Sequence, residues 1–198
     1  MRPLIRKTRR LVIRPLQAKD YKAWKEANLQ MSKPQNTWDF GPRLPETLNR
    51  SDYNNILRTQ AKNRKQDYIY DLAVFDKKGR LIGGVSLMEV SRSISQTCFL
   101  GYRIFNSHWG QGYAKEAVKA IIDIGFKDLK LHRIEAGIEP NNRRSLNLAK
   151  SLKMRREGVK KRALFLRNKW VDLVMYTLTS EDVGRKFNTN GLVLKRRM

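Results

Sequence analysis

A chain of 198 residues, 40% hydrophobic and 9% aromatic, can bury one core of ordinary domain size and is too apolar to be disordered. Its 42 lysines and arginines against 18 acidic residues give a net charge of +24, which repels polycations and leaves two readings open: a basic surface that keeps the protein in solution, or regular contact with nucleic acid. One cysteine, Cys98, excludes an internal disulfide and points to a reducing, cytoplasmic setting; no run approaches about 18 apolar residues, and the basic N-terminus lacks a signal-peptide core, so no membrane contact is expected.

The first element, RRLVIRPL (9–16), alternates apolar and basic residues as a half-buried strand does. QAKDYKAWKEANLQM (17–31) predicts a helix, with Asp20 as its N-cap and Tyr21, Trp24 and Leu29 near helical spacing. Residues 32–46 hold three prolines and a glycine and read as a loop, in which Trp38 and Phe40 either line a small pocket or pack on the core. A second helix is expected from Glu46 to Asn63. YIYDLAVF (68–75), LIGGVSLMEV (81–90) and QTCFLGYRIF (96–105) are three strands joined by the short turns DKKGR and SRSIS, an antiparallel meander.

After HWGQGY, AKEAVKAIIDIGFKDL (114–129) places Ala117, Ala120, Ile121, Ile124 and Leu129 on one helix face. HRIEAGIEP (132–140) is a strand ended by proline, and NNRRSLNLAKSLKM (141–154) a shorter helix capped by Asn141 or Asn142. ALFLRNKWVDLVMYTL (163–178) is a hairpin turning at Arg167–Asn168. The order β-α-α-β-β-β-α-β-α-β-β is one α/β domain over residues 1–182, followed by a basic tail at 183–198.

The segment HWGQGYAKEA (108–117) puts Gly110 and Gly112 between a strand and a helix. Free N–H groups and the dipole at a helix N-terminus favour an anion, and glycines let a phosphate approach them. No Gly-Lys-Ser/Thr follows, and the meander upstream is not a βαβ unit, so neither a Walker A loop nor a dinucleotide fold explains it. On spacing alone, a structural turn and a phosphate site stay equally open.

The surrounding residues carry a family resemblance. LGYRIFNSHWGQGYAKEA resembles the acetyl-CoA motif of the GNAT N-acetyltransferases, Arg/Gln-x-x-Gly-x-Gly/Ala, with Trp109, Gly112 and Ala114 at its first, fourth and sixth positions; tryptophan is a departure at the first. The WGQGYA form, the Pro140, Asn142 and Ser145 stretch, Glu157–Gly158, and Trp170 with Asp172 resemble the RimJ/RimL ribosomal-protein branch, and TCFLGYRI its RimJ subgroup. The likeness covers about residues 9–182. A second departure is Leu152-Lys153-Met154, where the family has Leu-Gly-Phe.

The resemblance implies the GNAT fold: a mixed, mostly antiparallel sheet of about seven strands flanked by about four helices, with acetyl-CoA in a splay between the fourth and fifth strands. It implies acetyl transfer by direct attack of a primary amine, most naturally a protein N-terminus, possibly presented on a ribosome with rRNA meeting the basic segments RKTRR, Lys153–Lys169 and the final KRR. Alternatives are a small amine or antibiotic acceptor, or a non-catalytic RNA-binding module on the same fold. Cofactor-binding residues are expected to be Leu100, Tyr102, Ile104, Trp109, Gly110, Gln111, Gly112, Tyr113, Ala114 and Asn142. Ser145 is the expected donor to the departing thiolate. Leu164 stands where the RimL branch has a glutamate, so Glu89, at a strand end bordering the cleft, is the expected base. Asp172 and His132 read as structural, His108 as remote from the acetyl end, and Lys115 as a solvated helix position. No metal cluster is expected, and nothing in the pattern sets the oligomeric state.

Overall fold

The computed structural model describes residues 4–187. Eight strands form one sheet: β1 (Arg6–Lys7), β2 (Leu11–Arg14), β3 (Tyr70–Asp76), β4 (Leu81–Ser91), β5 (Thr97–Ile104), β6 (Arg133–Ile138), β7 (Arg155–Leu166) and β8 (Lys169–Thr179), in the order β1-β2-β3-β4-β5-β6-β8-β7. The α-helices are α1 (Tyr21–Leu29), α2 (Arg50–Lys65), α3 (Tyr113–Lys127) and α4 (Arg143–Ser151). The fold is the α/β arrangement expected, with one strand more: Arg6–Lys7 pairs antiparallel with β2.

Side-chain alternation divides the core in two. Leu11, Ile13, Leu72, Val74, Val85, Leu87, Cys98, Leu100 and Ile134 face α3 and α4. Ala73, Phe75, Leu81 and Phe105 face α1 and α2, where Trp24, Met31, Leu48 and Tyr53 pack. Helix α3 buries Ala117, Ala120, Ile121 and Ile124 as its periodicity predicts; Val118, Ile122 and Phe126 are buried as well, because the helix lies between sheet and neighbours rather than on an open surface. Leu29, by contrast, is 38% exposed.

Three local boundaries differ from expectation for identifiable reasons. The second helix starts at Arg50 because Pro45–Thr47 forms a separate 3-10 turn and the Asn49 side chain accepts the Asp52 N–H at 2.9 Å. Asp20 precedes α1 without capping it: its carboxylate takes the Gln17 N–H at 2.8 Å and both guanidinium nitrogens of Arg14, at 2.6 and 2.8 Å. Strand β7 begins at Arg155, eight residues before Ala163, because its basic residues sit at a solvent-exposed sheet edge, where apolar alternation is not required.

The end of α4 is built without the family's glycine. Lys153 adopts φ +59°; its N–H bonds to the Lys150 carbonyl at 2.9 Å and the Met154 N–H to the Ala149 carbonyl at 3.1 Å. This is the Schellman pattern, with a lysine in the left-handed position that glycine fills without penalty.

The feature that positions the site is the β5–β6 pair. These parallel strands are laddered only at Thr97–Arg133, Cys98–Ile134 and Phe99–Glu135. From Leu100 to Ile104 strand β5 is paired with β4 alone, while β6 runs on with β8 as far as Ile138. The two strands therefore splay, leaving backbone groups of β5 free along one edge.

Two predictions follow from these local arrangements. Replacing Lys153 with glycine relieves a left-handed side chain and raises stability by about 1 kcal/mol in denaturant unfolding. Asp20 is held below the ordinary carboxylate value of 3.8: burial acts to raise it, but the Arg14 guanidinium and the Gln17 N–H outweigh that. A depressed folded-state pKa contributes stability above the unfolded value and loses it as pH falls through the folded value. Asp20→Asn therefore costs about 2 kcal/mol at neutral pH, and its deficit against the parent protein closes below about pH 4.

Candidate active site

The N-terminus of α3 is formed by two left-handed glycines. Gly110 and Gly112 both have φ +76°, and Gly112 occupies the N-cap position with no side chain capping the helix. The first-turn N–H groups are thus turned outward with no internal acceptor aimed at them. Arg10 locks the loop from behind. Its Nη1 donates to the Gln111 carbonyl at 2.8 Å, its Nε to Glu116 at 2.7 Å, and its guanidinium lies 4.6 Å from the Tyr113 ring centre. Trp109 is fixed by its indole N–H on the Ile104 carbonyl, 2.7 Å, and by Arg144 stacked 4.1 Å above its ring.

This loop opens on a cavity of about 620 Å³ that continues into the splay. Of the residues expected at a cofactor site, Tyr102, Ile104, Trp109, Gly110, Gly112, Tyr113, Ala114 and Asn142 line it together with Ser145. Leu100 and Gln111 do not: the Leu100 side chain is 7% exposed in the α3 core, and Gln111 is turned to solvent. Asn142, not Asn141, caps α4, accepting the Ser145 N–H at 3.2 Å. His108, Lys115 and Arg144 join the lining.

Within the splay, the Tyr102 phenol projects from β5 toward Ser145 in the first turn of α4. Burial raises the tyrosine pKa above its ordinary value of 10, and the Ser145 hydroxyl acts in the opposite direction. Two neutral hydroxyls thus face each other where the strands part. Cys98 is not a competing nucleophile: burial pushes its thiol up to about 12, so it stays protonated.

A second cavity, about 700 Å³, lies across the sheet, between it and α1 and α2. Tyr102 and Arg103 line both cavities, which meet at this part of β5; their side chains point to opposite faces, Tyr102 toward the α3 side and Arg103 toward Phe40 and Phe105. The floor of the second is Gly84, Ser86 and Gly101, and Asp71 stands at its edge, accepting the Ser86 hydroxyl at 2.5 Å. Sequence reading passed over Asp71 because an aspartate in an alternating strand looks like any outward-facing polar residue. Glu89 sits in the β4 bulge at φ +52°, its side chain exposed and outside the lining of both cavities.

The 32–46 loop spans the mouth of the splay. On the β5 side, Asn106 accepts the Ser32 N–H at 3.0 Å and donates to the Ser32 and Lys33 carbonyls and to Asp39, at 2.8–3.0 Å. On the β6 side, the Trp38 indole donates to Glu139 at 2.7 Å, and Glu139 also takes Arg167 from the β7–β8 turn. Trp38 lines the first cavity and Phe40, 58% exposed, the second. His132 is paired with Glu181 at 3.1 Å and packs edge-on against Phe187, and Asp172 holds Lys161 and the Arg162 N–H at 2.9 and 2.8 Å, structural roles in both cases.

Comparison with known proteins agrees with this geometry. The family described as acetyltransferase (GNAT) domain matches residues 10–155. An uncharacterized N-acetyltransferase, p20, of Bacillus licheniformis is 39% identical over 83 residues, 42% of this chain and 47% of that protein. The ribosomal protein uS5-alanine N-acetyltransferase of Escherichia coli is 33% identical over 119 residues, 60% of this chain and 61% of that protein. The chain spans roughly half to two thirds of the length of such curated relatives. Among solved structures, Mycobacterium smegmatis RimJ in complex with CoA-disulfide superposes with a TM-score of 0.76 at 22% identity, covering 94% of this chain and 93% of that one. The splayed strands, the uncapped glycine loop at α3 and the family match over most of the domain make this chain a member of the GNAT acetyltransferases.

Proposed function

We propose that this protein transfers acetyl from acetyl-CoA to the N-terminal amine of a protein, and that it belongs with the RimJ-type ribosomal-protein enzymes. The observation that carries the reading is the pair of cavities meeting at β5, one opening on an uncapped helix terminus and the other on a separate face. Two substrates can thus approach one strand from opposite sides, as direct attack requires. The similarity to the Escherichia coli uS5-alanine enzyme supports the acceptor class.

The residues present suit coenzyme A. The α3 terminus and its glycines offer N–H groups to a pyrophosphate, Arg144 and Lys115 add positive charge, and the free edge of β5 from Leu100 to Ile104 can pair with an amide-bearing arm as a further strand would. Acetyl-CoA supplies the activated acyl group. Ser145 and Tyr102 are the hydroxyls placed to donate to charge developing on sulfur. An α-ammonium has a pKa near 8, so only modest basicity is needed. Glu89 is one proposed carboxylate, acting through water from the bulge; Asp71, already inside the second cavity, is the other.

The charge suits a substrate presented on an RNA-rich particle. The β7–β8 hairpin exposes Phe165 and Trp170, 58% and 61% accessible with rings 5.6 Å apart, among Lys160, Lys161, Arg162 and Lys169, a combination on which nucleic-acid bases can stack. In the RKTRR segment, Arg6 and Arg10 are already engaged by Asp123, Asp128 and Glu116, leaving less free charge there than the sequence suggests. The closing KRR, like residues 188–198 of the basic tail, lies outside the described residues. A reducing, ribosome-bearing cytoplasm fits the lone buried thiol Cys98.

The direct test is incubation with acetyl-CoA and ribosomal proteins, read by mass spectrometry. One acetyl group gained on an N-terminus is expected, and ribosome co-sedimentation should fall as salt rises. No acetyl-CoA binding in calorimetry would sink the enzyme reading. Gly112→Ala forces a side chain to φ +76°, and should weaken coenzyme A binding about tenfold through a penalty of about 1–2 kcal/mol. Ser145→Ala should lower kcat by ten- to a hundredfold with KM for acetyl-CoA little changed. For the base, Asp71→Asn and Glu89→Gln are compared over pH: the true base loses the acidic limb of the kcat/KM profile, and the other leaves it in place.

A further inference from the structure

The second cavity holds two guanidiniums that, among the described residues, no carboxylate pairs with directly; Asp71 in the same lining accepts from Ser86 instead. Arg103 and Arg43 both line it. Arg103 is flanked by Phe40 and Phe105, with its guanidinium carbon 4.7 and 5.2 Å from their ring centres, and Arg43 lies 5.8 Å from the ring of Trp24. Stacking holds the planes of these groups while leaving their N–H edges free. Among the described residues, neither guanidinium has a hydrogen-bond or ion-pair partner. The nearby carboxylate, Asp39, is committed elsewhere: it accepts from Asn106 and from the N–H groups of Gln35 and Phe40 at 2.8–3.0 Å. Desolvation lowers the Arg103 pKa, Asp39 offsets only part of this, and repulsion from Arg43 adds to the lowering. Most other acids of this chain sit in pairs with arginine or lysine, so little carboxylate is left to meet the two guanidiniums that share this cavity.

We propose that Arg103 and Arg43 form a carboxylate-binding subsite that selects acceptors carrying an acidic group close to the reacting amine. The proposal rests on the acetyl-acceptor reading of this cavity. Arg103 is the β5 residue next to Tyr102, about 3.3 Å along the strand. An amine that reaches Tyr102 and Ser145 from this side has passed the guanidinium within the span of one to three extended residues. A bidentate Arg–carboxylate contact then supplies both register and charge selection. At Gly84 the absent side chain leaves room for the acceptor's backbone, whereas the space over Gly101 is filled by the Met88 side chain. The carboxylate can be an Asp or Glu side chain near a protein N-terminus, or the α-carboxylate of a free amino acid; both present the same group.

The test measures equilibrium binding to the coenzyme A-loaded protein, so that recognition is read apart from turnover. The probes are the C-terminally amidated peptides Ala-Glu-Ala-Ala and Ala-Lys-Ala-Ala, with free alanine and free glutamate as the second arm. The acidic peptide should bind about five- to tenfold tighter than the basic one. Arg103→Gln with Arg43→Gln should bring that ratio close to one, and Arg103→Glu should invert it. Tighter binding of the free amino acids than of the acidic peptide supports the subsite and assigns it to a small acceptor. Equal binding of the two peptides to the parent protein, with the free amino acids binding no tighter, overturns the proposal. So does a loss of coenzyme A affinity in Arg103→Gln with the peptide ratio unchanged, which would give this guanidinium to the cofactor phosphates. Peptides that bind selectively but are never acetylated would refute the acyltransferase reading while leaving the carboxylate subsite standing.

Discussion

Three residues of pairing between two parallel strands, and then none, is the constraint on which this molecule is organised. Strand β6 parts from β5 past Phe99–Glu135 while its other edge stays paired with β8 along its whole length. The backbone groups left free on β5 would be costly in a sealed interior, where unpaired amides lose their hydration without compensation. They are tolerable only if solvent or a ligand meets them. The cleft is therefore a consequence of sheet topology, and its chemistry is set by what neighbouring elements place around its rim.

Those neighbours are positioned by specific polar contacts in addition to apolar packing. Glu116, in the first turn of α3, accepts the Arg10 N–H and Nε and the Thr8 hydroxyl, tying the turn between β1 and β2 to the glycine loop. Burial acts to raise its pKa, but these donors bring it below the ordinary value, so the carboxylate stays charged. Asn106 and Glu139 do the same for the 32–46 loop from opposite lips of the splay. A loop with three prolines lacks the backbone donors of those residues, and side-chain anchors at Ser32, Lys33, Trp38 and Asp39 give its first part a fixed course across the opening.

Charge is divided in a related way. Acidic side chains of this chain are largely spent on ion pairs within the fold and at its surface, with Arg14, Arg80, Arg92, Arg133 and Arg155 among others. The excess of cations is left to the surface and to the second cavity. Net charge is thus distributed at two scales: diffusely, over a basic surface, and locally, in the guanidiniums of Arg43 and Arg103 in one cavity wall.

The elements with strong periodicity were legible directly. Strands β3, β4 and β5 and helix α3 bury their apolar faces as the sequence pattern requires, since burial of those residues is what stabilises them. The glycine loop was legible for a different reason: positive φ restricts residue choice, and Gly110 and Gly112 meet that restriction. Lys153 shows the limit, since the same conformation is there imposed on a lysine by the surrounding α4–β7 connection. What the sequence by itself determined was the fold, the family and the cofactor loop, because each rests on local backbone preference or side-chain period. Which carboxylate and which arginines share the second cavity was decided by tertiary structure alone. Asp71, Arg43 and Arg103 are 28 and 32 residues apart along the chain, and only the pairing of β3, β4 and β5 and the course of the proline-rich loop bring them to one cavity.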